Sequence, residues 1–213
     1  MKALLSSLLL IACFQAARAQ TPPEHAATVR KGYSASFSKG SKIISFGMGF
    51  PNLYRISYKE PEGYTHIKTT GFGPLYAKFE IAIADNIGLN PSFGYGTFHY
   101  SYFGLAYHPG YTEQVIYYDD VNTLSLALTA NFHLKSLITN PKLDVYFGGG
   151  FAMNYLKYRY GNIPPYKEPE TKTKFVPAAR VGVRYYFDPI LGAFAEAGYD
   201  GLSVLQLGLS VRF

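Results

Sequence analysis

Apolar side chains recur at every second position in eight separate stretches of this chain, and no other feature constrains its fold as tightly. A period of two is that of a β-strand, whose successive side chains point to opposite faces. The first stretch sets Ile44, Phe46, Met48 and Phe50 against Ser45, Gly47 and Gly49. The second sets Leu75, Ala77, Phe79, Ile81 and Ile83 against Tyr76, Lys78, Glu80 and Ala82. The third and fourth run through Ile87, Leu89, Phe93 and Tyr95, and through Leu124, Leu126, Leu128, Ala130 and Phe132. The second half repeats the pattern at Val145 to Tyr155, Val181 to Phe187, Leu191 to Tyr199 and Leu205 to Phe213.

The apolar faces carry no charge. The opposite faces carry Lys78, Glu80, Asp144, Arg180, Arg184, Glu196 and Arg212 among many Gly, Ser, Thr and Asn. A water-soluble barrel would need its large residues inside and its charges outside. Here the polar face is the small-residue face, which suits the narrow interior that eight strands enclose. The apolar face suits acyl chains, where a stray Lys or Arg costs roughly 2–4 kcal/mol at mid-depth. Backbone groups in lipid must also be satisfied, which without helices requires a closed sheet. The chain is therefore read as all-β, a transmembrane antiparallel up-and-down β-barrel of eight strands. Its seven inward charges are expected to form a structural salt-bridged network; a gate for ions in a narrow pore is the alternative. A secreted lipocalin-like binder requires the opposite orientation of both faces.

Aromatic residues sit where such a barrel meets its interfaces: Phe50, Tyr155 and Tyr199 at one end, Phe132, Tyr185, Phe187 and Phe213 at the other. Asp85-Asn86 and Asp188-Pro189 read as tight turns. The link from His133 to Lys142 is longer. The alternate connections, Pro51 to Pro74, His99 to Asp120 and Lys157 to Lys174, are long, while Asp200-Gly201 is short. Pro91 lies inside the third stretch, so a bulge or a later strand start is expected there. Ten strands would result if Tyr33 to Ser38 or Tyr111 to Tyr118 paired as additional members of the sheet.

The N-terminus reads as a secretory signal over residues 1–19. Lys2 supplies the charge, Ala3 to Phe14 the apolar run, and Ala17-Arg18-Ala19 the cleavage pattern, so the mature chain would begin at Gln20. Twelve residues are too few for a membrane-spanning helix, which needs roughly 20. Leu10-Ile11-Ala12-Cys13 also fits a lipoprotein box, the rival reading. Cys13 is the one cysteine, so the mature chain would hold no disulfide. Of 20 basic residues the signal removes Lys2 and Arg18, leaving 18 against 14 acidic. The excess is dispersed, which argues against a nucleic-acid partner. Residues 20–41 form a lead-in, and residues 42–213 the barrel domain.

The chain ends at Val211-Arg212-Phe213, with apolar residues at alternate positions back from a terminal Phe. In this it resembles the small OmpA/OmpX-type outer-membrane barrels, over about Lys42 to Phe213. The resemblance implies location in the outer membrane of a Gram-negative bacterium, contact with outer-membrane lipid, periplasmic termini and a plugged lumen. It also implies that Leu209, Val211 and Phe213 serve as a signal to the barrel-assembly machinery. Members of this family include structural proteins, adhesins and a few lipid-modifying enzymes, so it implies no one chemistry.

Candidate chemistry is sparse. His99, His108 and His133, with Ser101 and Asp119, are the residues of a Ser/His/acid set, as in barrel enzymes that act on lipid acyl chains. No histidine spacing suits a metal. Gly148-Gly149-Gly150 lacks the Lys-Ser/Thr of a phosphate loop. The expectation is no enzyme activity and no cofactor, with a structural or surface-interaction role. Twelve of the 20 Tyr fall in the three long connections. Tyr102, Tyr107, Tyr111, Tyr117 and Tyr118 are thus candidates for recognising an extracellular ligand. Strands that continue above the membrane as a Tyr-lined sheet would explain them equally well.

Overall fold

A computed structural model describes residues 37–58, 65–135, 138, 140–161 and 168–213. The signal segment, most of the lead-in, Tyr64, Tyr166 and Pro164-Pro165 lie outside these residues. Eight strands pair in chain order: β1 (Lys42–Phe50), β2 (Thr65–Ala82), β3 (Ile87–His108), β4 (Tyr111–His133), β5 (Leu143–Gly161), β6 (Glu170–Tyr186), β7 (Leu191–Tyr199) and β8 (Leu205–Arg212). Each is antiparallel to the next, and β8 returns to β1, so the sheet closes into a barrel. At the seam Lys42 N donates to Phe213 O at 3.0 Å and Phe213 N to Lys42 O at 2.9 Å. A one-turn helix, α1 (Leu53–Ile56), follows β1, with Asn52 Oδ1 accepting from Tyr54 N and Arg55 N.

The apolar face points outward on every strand. Leu126 is 46% exposed and Leu207 54%, whereas the core of a soluble barrel would bury both. This excludes the cavity of a lipocalin-like binder. The inward face is tight because rings lie beside glycines. Phe194 fills the space that a Cβ on Gly47 or Gly208 would need, and Tyr146 does the same opposite Gly182. Among the described residues no helix is long and apolar enough to cross a membrane.

Three expectations about connections are corrected, the first being Lys157 to Lys174, where β5 runs on to Gly161 and β6 starts at Glu170. The stretch from His99 to Asp120 is not a loop: β3 and β4 pair without a register break from Ile87↔Phe132 to His108↔Tyr111. They turn at Pro109-Gly110, where Gly110 has φ 92°, open to glycine at no steric cost. Tyr111 to Tyr118 is thus the start of β4 rather than an added strand. Likewise Thr65 to Pro74 belongs to β2. Pro91 makes no bulge. It pairs with Leu128, and its missing donor falls where the β2–β3 ladder lapses opposite Phe79 and Glu80 before resuming in the same register. The irregularities of that ladder lie between His66 and Lys68 and between Phe72 and Leu75.

The turns after β2, β4 and β6 share one end with Lys42 and Phe213; α1, Pro109-Gly110 and the β7–β8 turn share the other. At that second end the wall is uneven, because β3 and β4 run 22 and 23 residues while β7 and β8 run 9 and 8. Leu126→Arg and Leu207→Arg should each cost about 2–4 kcal/mol in reversible folding into phospholipid vesicles, and Tyr107→Arg, near the β3–β4 tip, no more than about 1.

Candidate functional site

Alternation along β2, β5, β6 and β7 delivers six of the seven charges expected inside to two buried tiers. In the tier nearer the short turns, Arg184 NH2 donates to Glu80 Oε2 at 2.9 Å and NH1 to Asp144 Oδ2 at 3.0 Å. His133 lies between the same acids, with Nδ1 2.7 Å from Asp144 Oδ1 and Nε2 3.0 Å from Glu80 Oε1. Each ring nitrogen is thus within hydrogen-bond distance of a carboxylate. Asn131 Nδ2 adds a bond of 2.8 Å to Glu80. Phe37 stacks on His133 at 3.4 Å between centroids and covers this tier.

In the second tier Glu196 accepts from Lys78, from Arg180 NH1 at 3.3 Å and from Tyr146 OH at 2.7 Å. The Tyr146 ring lies 4.7 Å from the Arg184 guanidinium, so one side chain joins the tiers. Lys78, Arg180, Arg184 and His133 thus face Glu80, Asp144 and Glu196, with Asp200 above, held by Gln206 Nε2 at 2.9 Å. Burial of each ion alone would cost several kcal/mol, and mutual pairing offsets it. The free space beside Arg180, Glu196 and Asp200 is about 10 Å³, enough for roughly one water.

Arg212 departs from the expectation. It sits at the mouth of the barrel, donating to Pro189 O through Nε at 3.2 Å and NH2 at 2.8 Å, over the Tyr186 ring. The reason is position: Arg212 ends β8 beside the β6–β7 turn, within reach of Pro189 O. Leu209, Val211 and Phe213 face outward along the closing seam, Leu209 opposite Phe46 and Val211 opposite Ile44.

The tyrosines divide by parity. Tyr102 and Tyr117 face inward and are buried with Tyr100, so they offer no surface for recognition. Tyr107 and Tyr118 face outward; Tyr111 shares the parity of Tyr117 but is exposed at the hairpin tip, stacked on His108 and close to Tyr107. Tyr58, from the α1 connection, donates to Asp119 inside the upper barrel, and Tyr102 OH reaches the same carboxylate at 3.4 Å. Burial, then the bond to Asp119, pushes the Tyr58 phenol up. Burial and a bond to Glu170 push Tyr160 up to about 12.

The histidines do not form one set. His133 is in the lumen, and His108 lies 3.7 Å from Glu113 at the tip. His99 and Ser101 do meet, on the outer face of β3, with Ser101 Oγ 2.9 Å from His99 Nε2. The acid that joins them is Asp120, 2.7 Å from His99 Nδ1, and not Asp119, which faces the other way. The sequence reading missed His133, Asn131 and Tyr146 as lumen ligands. The parity of the fourth stretch, continued from Thr129 through Asn131, carries straight to His133. No group of three or more metal-ligating side chains gathers among the described residues.

No family model matches the chain, and no curated protein is similar to it in sequence. Its fold is similar to the outer membrane protein OprG of Pseudomonas aeruginosa, at TM-score 0.51 and 12% identity, covering 84% of this chain and 99% of that one. The N-terminal barrel domain of Pseudomonas aeruginosa OprF aligns at TM-score 0.45 and 17% identity, covering 83% and 99%. Ail of Yersinia pestis aligns at TM-score 0.45 and 17% identity, covering 82% and 99%. The chain has the fold of a transmembrane eight-stranded β-barrel.

Glu196→Ala leaves Lys78 and Arg180 buried without their carboxylate, and should destabilise the folded barrel by about 3–5 kcal/mol. Gly182→Ala should also be destabilising, because its Cβ would stand 2.5 Å from the Tyr146 ring. Urea titration in detergent micelles measures both.

Proposed function

We propose that the protein is an outer-membrane β-barrel of a Gram-negative bacterium that anchors a tall, one-sided sheet above the membrane. The observation that carries this reading is the uncharged apolar band around a closed barrel whose ions are paired inside. That arrangement is stable in hydrocarbon and aggregates in water. The fold shared with OprG, an outer membrane protein, supports the same location. On this reading residues 1–19 are removed after Ala19, and Leu209, Val211 and Phe213 present the terminal strand to the barrel-assembly machinery. Outer-membrane lipid surrounds the band, and Tyr107 and Tyr111 are the tyrosines placed to meet an extracellular ligand. The lumen is a plug, supported by its two neutralised tiers.

Envelopes from cells making the protein should retain it through urea washing and release it to detergent, and the unboiled protein should migrate faster in a gel than the boiled one. Release into buffer without detergent overturns the assignment. In planar bilayers the wild type should show no steady conductance; a steady current abolished in Glu196→Ala would replace the plug with a gate.

A further inference from the structure

We propose that Ser101, His99 and Asp120 form a catalytic triad on the outer face of β3 and β4 that hydrolyses long-chain acyl esters of lipids at the membrane surface. The proposal rests on the outer-membrane reading for its substrate and on local geometry for its chemistry.

The geometry follows from strand register. His99 and Ser101 are two residues apart on β3 and so share its outer face. Asp120 stands directly opposite His99 on β4, and Tyr118 opposite Ser101. A carboxylate only accepts, so His99 Nδ1–H donates to Asp120 at 2.7 Å. That leaves the Nε2 lone pair for the Ser101 Oγ–H, at 2.9 Å. An ordinary cross-strand polar pair needs only the first bond. Here the hydroxyl and the carboxylate occupy opposite ring nitrogens, the order that a nucleophile, its base and the base's orienter require. Tyr118 stacks on the imidazole, with centroids 5.5 Å apart, and limits its rotation. The site is open, with the His99 side chain 41% and the Asp120 side chain 40% exposed. On the other flank Lys68 pairs with Ser101 in register, which puts an exposed lysine on the same face.

Depth selects the substrate. Twelve residues separate Ile87, at the short-turn end, from His99. At a rise of ~3.3 Å and a tilt of ~40° they climb ~30 Å, just beyond an apolar band ~25 Å tall. Tyr95 and Leu124 face outward just below the triad, and Phe103 and Leu105 above it. Acyl esters of membrane lipids lie at this boundary, their chains against the band and their headgroups at the level of Lys68.

Hydrolysis needs only water as co-reactant. Ser101 Oγ attacks the ester carbonyl carbon as its proton passes to His99 Nε2. The tetrahedral intermediate collapses, the bond to the alkoxy oxygen breaks, and His99 returns the proton to that oxygen, leaving an acyl-serine and a lipid alcohol. Water then attacks the acyl carbon while His99 takes its proton. The Ser101 ester bond breaks, His99 reprotonates Oγ, and a fatty acid departs.

The test uses the full mature barrel, folded in detergent, with two probes: rough lipopolysaccharide and phosphatidylethanolamine vesicles. Released fatty acid is measured by mass spectrometry, and Ser101 by labelling with a fluorophosphonate. The wild type should release fatty acid from at least one probe, and the probe that loses a chain identifies the lipid. Ser101→Ala should abolish both release and labelling, and Asp120→Asn should slow release by about 10⁴-fold. None of the three residues is buried, so each variant should keep the fast-migrating unboiled band. A wild-type barrel that shows this band and releases nothing from either lipid overturns the triad while leaving the membrane reading intact. Release unchanged in Ser101→Ala overturns it equally.

Discussion

Arg184 is the charge on which the barrel depends. Its side chain is buried within the lumen, 2% exposed. Its guanidinium must therefore be matched inside, and Glu80 and Asp144 match it with two separate bonds. Those acids in turn hold His133, and the Arg184 guanidinium rests on Tyr146, which holds Glu196, which holds Lys78 and Arg180. The network draws on strands β2, β4, β5, β6 and β7, so a strand that failed to reach its register would strand a charge in a low-dielectric interior. Electrostatic matching here does what close apolar packing does in a soluble core: it makes one arrangement far cheaper than its neighbours.

The closed sheet and the plug serve each other. Closure gives each strand a partner on both sides around the barrel wall, while the upper parts of β3, β4 and β6 outrun one neighbour. It also leaves a narrow lumen, into which rings and ions fit only because glycines flank them. Gly182 makes room for Tyr146, and Gly47 with Gly208 for Phe194. The small residues are thus distributed where the large inward groups demand space.

Period-two alternation made the fold legible because every spanning strand has one wet and one greasy side. The faces of all eight strands and the inward placement of Lys78, Glu80 and Glu196 could be read from it. Strand lengths could not. Above the band both faces of β3 and β4 are mixed, Thr97, His99 and Ser101 outside and Tyr100 and Tyr102 inside, so the hydropathy contrast vanishes while the ladder continues. The same loss of contrast hid which acid meets His99. Parity settles it once the strand is known to run on, since Asp119 shares its side with Val121 and Thr123, and Asp120 with Asn122 and Leu124. Arg212 shows the converse limit. Its side of the strand was readable but its height was not, because height depends on how far β8 climbs before the seam with β1 closes.

Asp119 and Asp120 are neighbours in the chain with opposite surroundings, one meeting phenols within the barrel and the other an imidazole on its outside. Slipping β4 by a single residue would exchange them and reverse every side chain along 23 positions. Related chains should therefore tolerate inserted or deleted residues freely at the Pro109-Gly110 tip but within the paired arms only two at a time, a parity rule that sequence comparison of such hairpins would expose as even-numbered gaps.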